Sequence, residues 1–123
     1  MVTYEYPGFI CTYENRDGNG YGMNGHGYGI LFHGTEGTMF INRQQFEIIP
    51  EMRRVNDQPQ PRIQAQQVKI TNNQGAMHAR NFLDCLKSRQ APICDIEIGH
   101  RSTTTALLGN IALRSGRRIT WNK

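Results

Sequence analysis

The apolar positions of this chain change period partway along. From Val2 the run VTYEYPGFICTYENR is rich in aromatic and β-branched residues and broken at Pro7-Gly8, which predicts two short strands around a turn. Further on, Ile30-Leu31-Phe32, Thr38-Met39-Phe40-Ile41 and Phe46-Glu47-Ile48-Ile49 are strand-like runs. Gly34 and Gly37 bracket the first connection and Asn42-Arg43-Gln44 makes the second, so this stretch predicts an antiparallel meander. Between Pro50 and Gly75 polar residues and prolines dominate. Pro59 and Pro61 disfavour both helix and central strand, so the expectation there is a long surface loop, with one further short strand at Val68-Lys69-Ile70.

The C-terminal part turns to a helical period. Ala79, Phe82, Leu83 and Leu86 fall at i, i+3, i+4 and i+7, predicting a helix over about Met77 to Arg89 that Pro92 keeps from continuing. A second helix is expected from Ser102, whose hydroxyl can cap free N–H groups. Its stripe would be Thr104, Leu107, Leu108 and Ile111, with Gly116 as its stop. The following RRITW reads as a last short strand. Strands followed by helices predict an α+β fold of two layers: an open, mainly antiparallel sheet with helices packed on one face. The other sheet face then has to meet water, a further domain or a second subunit.

Residues 18–29, GNGYGMNGHGYG, hold six of the thirteen glycines and match the G-x-G-x-x-G spacing at Gly20, Gly22 and Gly25. A dinucleotide fingerprint needs a helix directly after it, so that N–H groups and helix dipole meet the pyrophosphate. Here a strand-like run follows. The preferred reading is a connection in which some residues need positive φ or lie close to another surface.

Composition narrows the picture. With 123 residues, one domain with a single core is expected, and the 37% hydrophobic content must be concentrated in few elements. The net charge of +4 gathers at Arg53-Arg54 and in the tail RSGRRITWNK, too little for a nucleic-acid stripe. Tyr4, Tyr6, Tyr13, Tyr21 and Tyr28 lack the interleaved basic residues that base stacking on single strands requires, which points to sheet packing or a subunit interface. No apolar run reaches the roughly 18 residues of a membrane span, and MVTYEYPGF lacks the pattern of a signal peptide, so a cytoplasmic location is the default.

The candidate chemistry is sparse. Cys11, Cys85 and Cys94 are odd in number and not closely spaced, so reduced thiols are expected, with Cys85 and Cys94 as small buried hydrophobes. His26 and His33 have only Glu36 near them in sequence, short of a metal ligand set, and His78 reads as an ordinary helix residue. His100 and Arg101 stand just ahead of Ser102. They are the candidates for the substrate side, against the plainer role of orienting a helix entrance.

The stretch HARNFLDCLKSRQAPICDIEIGHRSTTTALLGNIALRSGRRITW closely resembles the C-terminal end of the glucose-fructose oxidoreductase and inositol dehydrogenase (Gfo/Idh/MocA) family. FHGTEGTMFIN is similar to that family's G-T-x-G-T strand turn, and YENRDGNGYGMNGHGYGILF to the strand pair before it. The resemblance implies the later part of a substrate-side domain whose open sheet face forms oligomers, one half of an NAD(P)-dependent sugar or polyol oxidoreductase. It implies NAD or NADP in a full-length relative, bound by an N-terminal Rossmann domain that this chain lacks. The family's catalytic lysine, Asp and His have no matching positions here, so no catalytic, cofactor-binding or metal residue is assigned and no activity is expected of the chain alone. The expected partners are a second copy through the open face and a Rossmann domain in a longer parent, with neither nucleic acid nor membrane. The alternative is a free-standing binding or assembly protein descended from such a domain.

Overall fold

The computed structural model describes residues 1–23 and 25–121; Asn24 in the glycine segment and Asn122 and Lys123 of the basic tail lie outside the described residues. The fold is α+β, with antiparallel, open sheets and two helices among those residues. Where the chain's length predicts one core, it divides into two compact units, 1–17 with 75–123, and 18–74.

In the first unit, β1 (Val2–Tyr6) and β2 (Phe9–Tyr13) form the expected hairpin. Its register puts Val2, Tyr4, Tyr6, Phe9, Cys11 and Tyr13 on one face, and Tyr6 stacks on Phe9 at 4.5 Å between ring centroids. Helix α1 (Gln74–Ser88) and helix α2 (Ile96–Ser115) complete the unit. The hairpin meets α2 on its aromatic face: the Tyr4 hydroxyl donates to the Thr105 carbonyl at 2.8 Å. A side chain at Gly109 would come within 3.0 Å of Val2, so glycine there admits the strand.

Helix α2 begins six residues earlier than the capping argument for Ser102 predicts. The cap is Asp95, whose carboxylate accepts from the Ile98 N–H at 2.9 Å, and Glu97 adds favourable charge to the first turn. Ser102 lies inside the helix, its hydroxyl turned back on the Ile98 carbonyl at 2.9 Å. Gly116 ends the helix in the left-handed region, φ 62°, as expected. Residues 117–121 form no strand. The tail is instead held by the Arg118 guanidinium donating to the Glu5 carboxylate.

The second unit contains a four-stranded antiparallel sheet in the order β3-β4-β5-β8, made of β3 (Ile30–His33), β4 (Gly37–Ile41), β5 (Gln45–Pro50) and β8 (Gln66–Lys69). The segment expected to be an unstructured loop carries a second hairpin, β6 (Met52–Val55) and β7 (Gln58–Pro61). Asn56 and Asp57 make its turn with φ of 51° and 60°, the left-handed pair that a tight hairpin needs. Pairing explains how two prolines enter a strand. Val55 and Gln58 close the turn, and the Arg62 N–H donates to the Glu51 carbonyl at 2.8 Å, so Pro59 and Pro61 fall on alternate positions whose nitrogens face away from β6.

Candidate functional site

Alternation along the strands divides the four-stranded sheet into two unlike faces. One face carries Leu31, Phe40, Gln45 and Glu47. Phe40 has 0% of its surface exposed, the one fully buried large side chain among the described residues. The glycine segment covers it: the His26 ring stacks on Phe40 at 4.7 Å, and the buried Gln45 amide lies 3.1 Å from His26 Nε2, which accepts from the amide nitrogen. A short bridge between Met23 and His26 shapes this cover. A Cβ on Gly29 would stand 2.3 Å from the Phe40 ring, and one on Gly22 would stand 2.2 Å from the His26 carbonyl. The glycines are thus used for close approach of the chain to its own surface, and the strand β3, with no helix, follows them.

The opposite face presents Ile30, Phe32, Met39, Ile41, Phe46, Ile48 and Val68 in register across four strands. Ile30, Phe32 and Val68 are exposed, at 57%, 53% and 39%, while Met39, Ile41, Phe46 and Ile48 at the centre are half-buried. This apolar surface is the most distinctive feature of the unit.

The residues singled out on the substrate side do not converge. His100 and Arg101 lie in the second turn of α2, not at its entrance, and both are exposed. Successive helical positions point about 100° apart, and the Arg101 guanidinium already donates to Glu97 at 2.7 Å, one turn back. His33 Nδ1 is 3.0 Å from the Thr38 hydroxyl across the β3–β4 pair, and His78 lies exposed on α1. Among the described residues no three His, Cys, Asp or Glu side chains gather as a metal site would require.

Cysteine burial differs from the expectation. Cys94 is exposed, and Cys85 is half-buried with its thiol donating to the Ala91 carbonyl at 3.6 Å. Both border shallow grooves around Phe82 and Pro92, one completed by Leu86, Arg89 and Gln90, the other by Asp95, Ile96 and Gly99. Each groove gathers a single charged group, and Asp95 is already occupied as the helix cap. The grooves are apolar surfaces without the convergent polar groups that catalysis uses.

Burial pushes the Tyr4 phenol up, helped by Cys11, Tyr6 and Tyr13 nearby, and the hydrogen bond from Arg16 holds the Glu14 carboxyl below its ordinary value. Neither lies at a groove. The apolar face was legible in the alternation of the strand runs; that one face alone is covered follows from where the glycine segment folds back. No helix among the described residues is long and apolar enough to cross a membrane. Comparison with protein-family models, with curated proteins and with solved structures gives no match to this chain.

Proposed function

We propose that this chain is the substrate-side and assembly portion of an NAD(P)-dependent sugar or polyol oxidoreductase, and that it performs no hydride transfer alone. The observation that carries the reading is the open apolar face of the four-stranded antiparallel sheet. A face of that kind fits a domain that builds subunit contacts, and its antiparallel sheet accords with the family that the C-terminal sequence resembles. The cofactor belongs to another domain in this reading, because the glycine segment is committed to packing on Phe40 and leads into a strand.

A second reading, a free-standing binding or assembly protein, is favoured by the grooves beside Phe82, which are apolar and poor in polar groups. The two separate on the intact mass of the native polypeptide in its source cells, detected with an antibody raised against these residues. A species heavy enough to include a nucleotide-binding domain supports the oxidoreductase reading. A species at 14.1 kDa sinks it and leaves the assembly protein.

A further inference from the structure

The glycine segment holds two Asn-Gly pairs, Asn19-Gly20 and Asn24-Gly25. An asparagine loses its side-chain amide when the backbone nitrogen of the next residue attacks the amide carbon. Glycine in that next position favours the step, because it has no side chain to block the approach and its backbone turns freely. A fold suppresses the step where the same backbone is held in a helix or strand. Asn81 and Asn110 are held in this way inside α1 and α2. Apart from Asn19, every described asparagine is followed by a residue with a side chain.

Asn19 and Gly20 lie outside every helix and strand, and both are exposed. The Tyr21 N–H donates to Asn19 Oδ1 at 2.8 Å. Through this bond the side chain imitates the first peptide of a turn, which folds its amide carbon back toward the Gly20 nitrogen and draws electrons from that carbon. The Gly20 N–H has no hydrogen-bond partner among the described residues, and a Cβ placed on Gly20 would meet nothing within 4 Å. The peptide therefore has room to rotate into the attack. Asn42 closes a similar turn, its Oδ1 accepting from the Gln44 N–H at 2.8 Å, but the Gln45 N–H also holds that oxygen and Arg43 follows it.

We propose that Asn19 is a site of spontaneous deamidation, in which the backbone nitrogen of Gly20 is the nucleophile and water is the only co-reactant. The Gly20 nitrogen bonds to the Asn19 amide carbon as the bond from that carbon to Nδ2 breaks. The proton of the Gly20 nitrogen passes to Nδ2, which leaves as ammonia. Water then opens the cyclic imide at either of its carbonyls, so residue 19 becomes aspartate or isoaspartate, with no change of oxidation state. Both products add a negative charge, and isoaspartate also adds a methylene to the main chain. The change falls at the head of the segment whose His26 ring lies on Phe40. It needs no partner and no second domain.

The test incubates the 123-residue chain, folded and in urea, and follows the tryptic peptide 17–43, which carries Asn19, Asn24 and Asn42. Fragment mass spectra locate each conversion, and enzymatic methyl labelling counts isoaspartate. In the folded chain Asn19 is expected to give both acids, at a rate within roughly tenfold of that in urea. Conversion quickens from mildly acidic to mildly alkaline buffer, because the attacking nitrogen must give up its proton, and Asn42 stays intact over the same period. The φ of Gly20 lies outside the left-handed region, so alanine fits there. Gly20→Ala is expected to slow conversion at residue 19 by at least about tenfold, with circular dichroism unchanged. Asn19→Gln keeps the amide but makes it one methylene too long for the same ring, and it lowers the isoaspartate count; if Gly20→Ala does not fold, this variant decides. Asn19 left intact in the folded chain overturns the proposal, whether or not Asn24 converts. Conversion of Asn19 in urea alone overturns it as well, since the fold would then shield the pair. An unchanged rate in a folded Gly20→Ala overturns the attack by Gly20, and an unchanged isoaspartate count in Asn19→Gln moves the site away from residue 19.

Discussion

Tyr4 shows how one polar atom ties a strand to a helix. Its hydroxyl reaches the Thr105 carbonyl while its ring lies on the hairpin's aromatic face. Tyr4→Phe retains the ring and removes the bond, so a loss of about 1 kcal/mol in denaturant unfolding is expected. The raised phenol value sets the sign of the pH dependence. Between the unfolded and folded values the unfolded chain binds fewer protons, so this contribution is fully present below pH 10 and declines as pH rises through the folded value. Unfolding measured across the alkaline range in both proteins checks this, the difference between them narrowing at high pH. Glu14 behaves in the opposite sense. Its lowered value means that any stabilisation is present above the ordinary carboxylate value and is lost as pH falls through the folded one, and Arg16→Ala should return its titration midpoint, followed by NMR, to the ordinary value. The pair is exposed and its effect is screened by salt.

At the scale of elements, the start of α2 is decided between two residues that each have a capping side chain. Asp95 wins because Ile96, Glu97 and Ile98 continue as helix, with the acidic residue in the first turn. Asp95→Ala is therefore expected to cost about 1 kcal/mol, and Ser102→Ala to change thermal unfolding little, because its hydroxyl bonds carbonyls already engaged by the helix. The reverse order of effects would place the start at Ser102. The β6–β7 hairpin was hidden by its prolines. Composition marks Pro59 and Pro61 as strand breakers, but a two-residue turn at Asn56-Asp57 puts both on the outward side, where a missing N–H is an advantage. The final RRITW run has a strand's composition but pairs with no strand, and its Arg118 is held by Glu5 instead.

For the whole molecule the apolar face dominates. Fully burying one large aliphatic side chain contributes about 1.5–3 kcal/mol, and Phe46, Ile48, Met39 and Ile41 lie together at the centre of that face. Ile48→Lys should weaken self-association at least tenfold in sedimentation equilibrium while leaving the far-ultraviolet circular dichroism unchanged. A stable monomer of the unaltered chain at micromolar concentration would remove the basis for assembly. His100 and Arg101, by contrast, show no partner geometry beyond the Glu97 pair, so His100→Ala is expected to leave both unfolding and association as they are.

The alternation of Ile30 to Ile49, the helical stripe around Phe82 and the stop at Gly116 were readable along the chain, because period and backbone preference are local properties. So was the rejection of the glycine segment as a nucleotide loop, since a strand follows it. What the glycines do was not readable. That Gly29 clears the Phe40 ring, that His26 and Gln45 meet over it, and that two prolines turn outward all depend on residues brought together by pairing, and pairing register is a property of the folded chain. The sequence determined which side chains share a face. Only the tertiary structure decided which face of the four-stranded sheet is covered, because cover is defined by neighbours distant along the chain.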